Sequence, residues 1–469
     1  MKELRRNMRM LAALLLSLFL LFGAYFCYSV YFFGGRWFAN SYNTRIMSQK
    51  QLVRAGTVTD REGTVLAHTD SEGVRHYASN RDMRRAVSHV IGDNEGKVSK
   101  GVETFHAQYL LGFKSNVLER MVQALQGGER HGDDIQLTLS AKLNSYVSAN
   151  FPRGKAGAVV ILNYHTGDVY AMVSKPDFDP NNISAAMEDE AAGALINRAT
   201  QGLYPPGSTF KIVTMASALQ TIPGVQDRTF LCTGVLPVEY TVVTDAGNNE
   251  HGTQTMKQAF ANSCNTAFAA LTLELGYDQL AQTATAFGVG DNFLFRDLVV
   301  ENSSYPTDRR SNDDLAWSGI GQGRVLMTPL HMALVAGCVA NDGVMMEPRL
   351  LSRVVGPQGQ RRMLAGAKEY RRAITPEVAL VLQQDMRAAV TNGTASRARI
   401  SGLRVAGKTG SAEASDNKEI LPHAWYVGYI ENAEHPLAIA IVVENGGSGG
   451  QVAAPLAARF LTQAVSLGL

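Results

Sequence analysis

"YPPGSTFKIVTMASAL", Tyr204 to Leu219, places a single lysine in an otherwise apolar helical stretch. Pro205, Pro206 and Gly207 end any preceding helix and shape a tight entry turn. Ser208 follows in the position of an N-cap. Ile212, Val213, Met215, Ala216, Ala218 and Leu219 are apolar on nearly every face, so the helix is expected to be buried on most sides. Residues three apart share a helix face, which sets Lys211 beside Ser208. A buried ammonium is costly unless it is paired or loses its proton. No acidic residue lies between Ala199 and Gln226 to pair with it. Two readings are open: a capped helix whose lysine snorkels to water, or a nucleophilic serine activated by a neutral lysine.

Two further segments bear on that choice. Ser263-Cys264-Asn265 lies within "FANSCNTAFAALTLELG", and Lys408-Thr409-Gly410-Ser411 lies within "RVAGKTGSAEA". Taken alone, Ser263 and Asn265 read as N-caps of the helix after them, and the Lys-Thr-Gly as a strand turning at glycine. The surrounding pattern gives them a common setting. "AGAVVILNY" and "GDVYAMVSK" read as a hairpin around His165-Thr166, and "RVAGKTGSAEA", "HAWYVGYIE" and "LAIAIVVEN" as three late strands. The five strands are expected to form one antiparallel sheet. "TLSAKLNSYVSANF" and the final "APLAARFLTQAV" are expected to be helices covering one face. Asp177 to about Leu403 reads as helical patches and loops, a second lobe carrying the Ser208 helix. The expected fold class is α+β, with a cleft between sheet edge and lobe.

The amino terminus is of another kind. No charged residue occurs from Met10 to Gly35, and Leu11 to Phe33 as a helix spans roughly 34 Å, enough for a membrane. A cleaved signal peptide would have a shorter apolar region and a small-residue cleavage site, which "YFCYSVYFF" does not offer. Lys2, Arg5, Arg6 and Arg9 precede the span against Glu3 alone. Positive flanks stay in the cytoplasm, so the bulk of the chain is expected outside. The whole chain carries a formal charge of +2; that short tail is +3, which leaves −1 for the rest, and a nucleic-acid partner is not expected. The expected divisions are residues 1–9 as cytoplasmic tail, 10–35 as transmembrane anchor, 36–133 as a small mixed juxtamembrane domain and 134–469 as the catalytic domain. Within the third, "RAGTVTDREGTVLAH" alternates like a hairpin around Glu62-Gly63, and "KGVETFHAQYLLG" reads as a short helix. It shows no catalytic cluster and reads as a spacer or docking module. Of four cysteines, Cys27 lies in the anchor; Cys232, Cys264 and Cys338 leave any disulfide pairing open. With no Cys-x-x-Cys or His-Glu-x-x-His, neither metal nor cofactor is expected.

Ser-x-x-Lys, Ser-x-Asn and Lys-Thr-Gly, in that order, resemble the motif set of penicillin-binding proteins and serine β-lactamases. The chain resembles a class B penicillin-binding protein, a monofunctional peptidoglycan D,D-transpeptidase, over nearly all its length. "RAGTVTDREGTVLA", "GVETFHAQYLLG" and "SGIGQGRVLMTPLHMALVAGCVANDGVMMEP" resemble the family's other blocks. Cys264 fills the variable middle of Ser-x-Asn, and His331 stands where the family often has glutamine. The resemblance implies roles. Ser208 attacks the penultimate D-alanine carbonyl of a stem peptide, Lys211 takes its proton, and Ser263 relays that proton to the departing D-alanine. Asn265 orients the substrate amide, Lys408 and Thr409 hold the terminal carboxylate, and Gly410 permits close approach. Backbone N–H groups of Ser208 and Ser411 form the oxyanion hole. It implies stem peptides and β-lactams as ligands, and as partner a membrane glycosyltransferase of the shape, elongation, division and sporulation family. The alternatives are a D,D-carboxypeptidase or β-lactamase, or a β-lactam-binding sensor. No Glu-x-x-Leu-Asn-like stretch, which class A β-lactamases need, occurs between Asn265 and Lys408.

Overall fold

The structure, a computed structural model, describes residues 2–38, 48, 50, 52–114, 119, 130–188, 193–306, 308, 311–415, 417 and 419–469. Part of the expected juxtamembrane stretch, including residues 39–47 and 120–129, lies outside the described residues. Helix α1, Lys2–Phe38, carries the apolar run. It is long and apolar enough to cross a membrane, and Leu14, Phe19 and Phe22 along it are more than half exposed.

After α1 come strands β1 (Val58–Thr59), β2 (Val65–Thr69), β3 (Arg75–Tyr77) and β4 (Asp134–Leu137). The expected hairpin forms: β1 and β2 pair antiparallel, and Asp60 ties the turn by accepting from Glu62 and Thr64 N–H groups. The "GVETFHAQYLLG" block makes two short helices, Val102–Phe105 and Ala107–Leu110, rather than one. Next are α2 (Ala141–Asn150), β5 (Gly157–Asn163), β6 (Val169–Lys175) and α3 (Lys211–Thr221). The stretch expected to be helices and loops also contains strands: β7 (Thr229–Cys232), β8 (Val235–Pro237), β9 (Val242–Thr244) and β10 (Gly252–Thr255). Helices α4 (Met256–Asn262), α5 (Asn265–Leu275) and α6 (Pro329–Ala340) follow, then β11 (Leu351–Val355) and β12 (Arg361–Leu364). The chain ends with α7 (Pro376–Asn392), β13 (Val405–Ala412), β14 (His423–Ile430), β15 (Leu437–Val443) and α8 (Ala453–Ser466).

Five strands form the expected antiparallel sheet, in the order β13-β14-β15-β5-β6. Every residue of β5, β14 and β15 is buried, so both faces are covered. Strands buried on both sides read as continuous apolar runs rather than alternating ones, as "LAIAIVV" does. Helices α2 and α8, from the two ends of the domain, pack on each other and on the sheet; α6 packs against β5, β14 and β15. Helix α6 is apolar all round because every residue from Pro329 to Val339 is buried, and Thr328 caps it by accepting from His331 N–H. Gly337 lets α6 approach: a Cβ there would lie 3.1 Å from Tyr164 Cβ. The second sheet has the order β12-β11-β4-β1-β2-β3. Its strands come from both sides of residue 134, because β11 returns from the far lobe to pair with β4 and carries β12 on its outer edge.

Candidate active site

Strand β13 is an edge of the five-stranded sheet, and the turn before α3 packs against it. That turn is a short 3-10 segment, Gly207–Phe210, and Ser208 lies within it. Ser208 is therefore not the expected N-cap: α3 begins at Lys211 behind Phe210, with no side-chain cap. Three contacts fix the turn. Trp425 Nε1 on β14 donates to Pro205 O at 3.0 Å, Thr209 Oγ1 to Pro206 O at 2.7 Å, and Gly207 N to Gly321 O at 2.9 Å. Gly207 takes φ +54°, and a Cβ on it would lie 3.0 Å from Ala412 Cβ, so glycine permits both the bend and the approach. Ser208 is half-buried, and its hydroxyl has no hydrogen-bond partner among the described residues.

Lys211 is fully buried. Its ammonium does not snorkel: Nζ donates to Ser263 O at 2.6 Å and Asn265 Oδ1 at 2.7 Å, and lies 3.5 Å from Ser263 Oγ. Burial lowers its pKa to about 7. Lys408, also fully buried, donates from Nζ to Ser263 Oγ at 2.7 Å. Burial, then the neighbouring Lys211, holds Lys408 well below the ordinary lysine range. Two fully buried amines around one hydroxyl cannot both stay charged. Ser263 Oγ can thus receive a proton from one lysine and pass it on.

The capping readings of Ser263 and Asn265 do not hold. Ser263 closes α4 in the left-handed region at φ +61°, and Cys264 caps α5 by accepting from Ala267 N–H at 3.4 Å. The left-handed turn costs a non-glycine residue and here directs the motif toward Lys211. Asn265 is clamped: its Nδ2 donates to Thr244 O at 2.8 Å, and its backbone N–H donates to Asp245 Oδ1. A carboxylate thus stands beside the Ser-x-Asn motif. It is fully engaged, with Oδ2 also accepting from Thr266 Oγ1 at 3.0 Å.

A cleft of about 540 Å³ runs between these walls. Ser208, Ser263, Asn265, Thr409, Gly410 and Ser411 line it; Lys211 and Lys408 lie beneath its floor. Thr409 Oγ1 donates to Thr394 Oγ1 at 2.8 Å, and Ser411 Oγ accepts from Gly449 N at 3.1 Å. At Gly410 a Cβ would lie 2.9 Å from Pro206 O, so strand and serine turn touch only because that side chain is missing. All eight expected site residues come together. Sequence reasoning missed Thr394, Arg397 and His251 on the cleft wall and Asp245 behind Asn265; none sits in a local motif. Cys232, Asp245, His251 and Cys264, spread along the chain, also converge into a set able to hold a metal ion.

Comparisons with known proteins agree with this geometry. Residues 157–462 match the family described as "Penicillin binding protein transpeptidase domain". The peptidoglycan D,D-transpeptidase PbpA of Mycolicibacterium smegmatis is 32% identical over 461 residues, covering 92% of this chain and 93% of the relative. The stage V sporulation protein D of Bacillus subtilis is 26% identical, over 83% of this chain and 63% of its own length. Among solved structures, the ceftriaxone acyl-enzyme complex of Mycobacterium tuberculosis penicillin-binding protein A superposes with a TM-score of 0.81 at 29% identity, covering 88% of this chain and 99% of the other. With the motif set, the sheet-edge cleft and a relative matched almost end to end, the chain belongs to the penicillin-binding protein transpeptidase family.

Proposed function

We propose that this chain is a membrane-anchored serine D,D-transpeptidase that crosslinks peptidoglycan stem peptides through an ester on Ser208. Ser208 Oγ attacks the carbonyl carbon of the penultimate D-alanine while Lys211, neutral at its lowered pKa, takes the hydroxyl proton. Ser263 passes a proton to the departing amine, so D-alanine leaves as its neutral amine and the peptide remains as an ester. An amine of a second stem peptide then attacks that ester, loses its proton through the same groups, and restores Ser208. The N–H groups of Ser208 and Ser411 receive the oxyanion, each donor commonly worth about 10²–10³ in rate. Thr409, on the cleft wall, holds the donor carboxylate, with the Lys408 amine beneath the floor acting on it through its field, and Asn265 orients the substrate amide. The observation that carries this reading is Ser263 Oγ, held 2.7 Å from Lys408 Nζ and 3.5 Å from Lys211 Nζ, with neither amine in an ion pair among the described residues.

A β-lactam presents a strained amide to the same groups. Wild-type protein treated with penicillin should gain one adduct by intact-mass spectrometry, mapped to Ser208 and lost in Ser208→Ala. An adduct that survives this change overturns the assignment, and rapid multiple turnover of penicillin favours the hydrolase alternative. The amino terminus lies in the cytoplasm and the catalytic domain outside, a reading supported by the basic residues before α1. The described part of residues 36–133 is read as a pedestal between anchor and catalytic domain, its sheet completed by β4, β11 and β12 of the catalytic domain. The anchor and pedestal are the surfaces offered to a membrane glycosyltransferase of the shape, elongation, division and sporulation family. Replacing residues 10–35 by an unrelated span should abolish complementation in cells while penicillin still acylates the protein; full complementation removes this partner.

A further inference from the structure

The catalytic cleft does not end at Ser263. Helices α4 and α7 pack on each other, and beside them lies a second hollow of about 390 Å³. His251, Asn262 and Asn392 line both the hollow and the cleft, so the two are continuous. The hollow has a wall of hydrogen-bond donors. Gln254 stands there on β10, which pairs with β7 as one of two short ribbons between α3 and α4, the other being β8 with β9. It is 3% exposed; its Oε1 accepts from Asn262 Nδ2 at 3.1 Å, and its Nε2 has no hydrogen-bond partner among the described residues. A buried donor left unmade is costly, and such groups are few in folded proteins. Lys257 is exposed at the same wall and makes no ion pair among the described residues. On α7, one turn before the lining residue Ala388, Asp385 is fully buried and accepts from Gln226 Nε2 at 2.7 Å. Burial raises its pKa to about 7, which weakens its opposition to an anion in the hollow.

We propose that this hollow binds the terminal carboxylate of the acceptor stem peptide, with Lys257 supplying the charge and Gln254 Nε2 the buried donor. The inference rests on the transpeptidase reading. In that reaction an incoming amine attacks the carbon that the D-alanine amine has just left, so the second step is the first in reverse with one amine exchanged. The acceptor amine therefore enters along the path of the departing one. The carboxylate of the departing D-alanine lies at Thr409, whose Oγ1 donates to Thr394 Oγ1, and Thr394 is two residues beyond Asn392. The hollow thus opens on the side from which the acceptor arrives. Lys257 precedes Ser263 by six residues, about 9 Å along a helix axis. An extended peptide covers that distance in about three residues, so a terminus held at Lys257 leaves a side-chain amine two or three residues back within reach of the Ser208 ester. An ammonium and an amide N–H are the groups that suit a carboxylate. Lys257 and Gln254 thereby determine which acceptor is taken.

The test uses the full chain, purified in detergent. The donor is a synthetic stem pentapeptide whose side-chain amine is acetylated. Two acceptor peptides carry a free side-chain amine and differ only at the C-terminus, a carboxylate or a carboxamide. Crosslinked product is counted by mass spectrometry. In wild type the carboxylate acceptor should show a KM lower by about 3–10-fold at similar kcat. Lys257→Gln and Gln254→Leu should raise that KM toward the carboxamide value, and Lys257→Arg should keep the preference. Penicillin acylation of Ser208 in each variant reports whether the catalytic site is folded. The wild-type comparison of the two acceptors needs no variant. Crosslinking that ignores the terminal group in wild type overturns the site, as does a Lys257→Gln variant that keeps the full preference. Equal loss of acylation and crosslinking in Lys257→Gln overturns its role in choosing the acceptor. Hydrolysis of the donor with no crosslink to either acceptor, while penicillin still acylates Ser208, overturns the transpeptidase reading and the acceptor site with it.

Discussion

Lys211 makes no ion pair among the described residues, although it is completely buried. Its neighbours are a carbonyl, an amide oxygen and a hydroxyl, plus the Phe268 ring 5.3 Å from Nζ. Neutral acceptors stabilise an ammonium less than a carboxylate does, so burial dominates and the pKa falls from 10.5 to about 7. The sign of the kinetic effect follows. Below about pH 7 the amine is protonated and cannot take the Ser208 proton; above it the base form prevails. Penicillin acylation of the free enzyme should rise with pH through about 7 and then level. Lys211→Ala should lose that step and slow acylation about 10²–10⁴-fold even at saturating drug. Stopped-flow acylation across pH measures both, and a flat profile in wild type would remove Lys211 as the base. His331 shows a residue-scale substitution absorbed by the fold. Standing where the resemblance leads one to expect glutamine, it lies 2.7 Å from Ser303 Oγ and 2.8 Å from Phe287 O. Two ring nitrogens thus meet two partners, as a side-chain amide would.

Among the elements, the serine turn depends on a loop far from it in sequence. Gly321, in the glycine-glutamine-glycine block, takes φ +73°, and a Cβ there would lie 2.2 Å from Gly207 O. Its carbonyl also accepts from Gly207 N–H. Gly321→Ala should displace the turn that carries Ser208, with strain of about 1–3 kcal/mol, and should slow acylation more than it lowers the melting temperature. Unchanged acylation in that variant would mean that the turn holds without its brace. The same scale shows what a sequence can disclose. The central strands were legible because they are unbroken apolar runs, and Ser208, Lys211, Ser263 and Lys408 because three short motifs name them. The ribbons of residues 229–255 were not. "TFLC" and "GTQT" alternate weakly, and their pairing is set by tertiary contacts around Asp245 rather than by a local period. Nor was Cys264 legible as the cap of α5, because a serine and an asparagine on either side of it are better capping residues by type.

Taken whole, the molecule binds its pedestal to its catalytic domain more tightly than a spacer would require. β11 leaves the catalytic lobe to pair with β4, and β4 pairs on its other edge with β1. Asp60, in the first hairpin, accepts from Ala141 N–H at the start of α2, and Arg61 N donates to Leu139 O, both at 3.0 Å. Arg84 grips Asp179 with two hydrogen bonds, at 2.8 and 2.7 Å, and Arg85 reaches Asp177 at 2.8 Å. Val58, Ile135 and Leu137 belong to the same continuous core as the five-stranded sheet. A boundary crossed by a shared sheet and a shared core cannot open without exposing both, so the two parts should unfold together. Calorimetry on the full chain in detergent should show one transition for residues outside the membrane. Arg84→Ala should shift it downward, losing about 1.5–3 kcal/mol with the charge-assisted pair, without splitting it. Two resolved transitions in wild type would show instead that the pedestal is a separate body and that the sheet across residue 134 adds little to its cohesion.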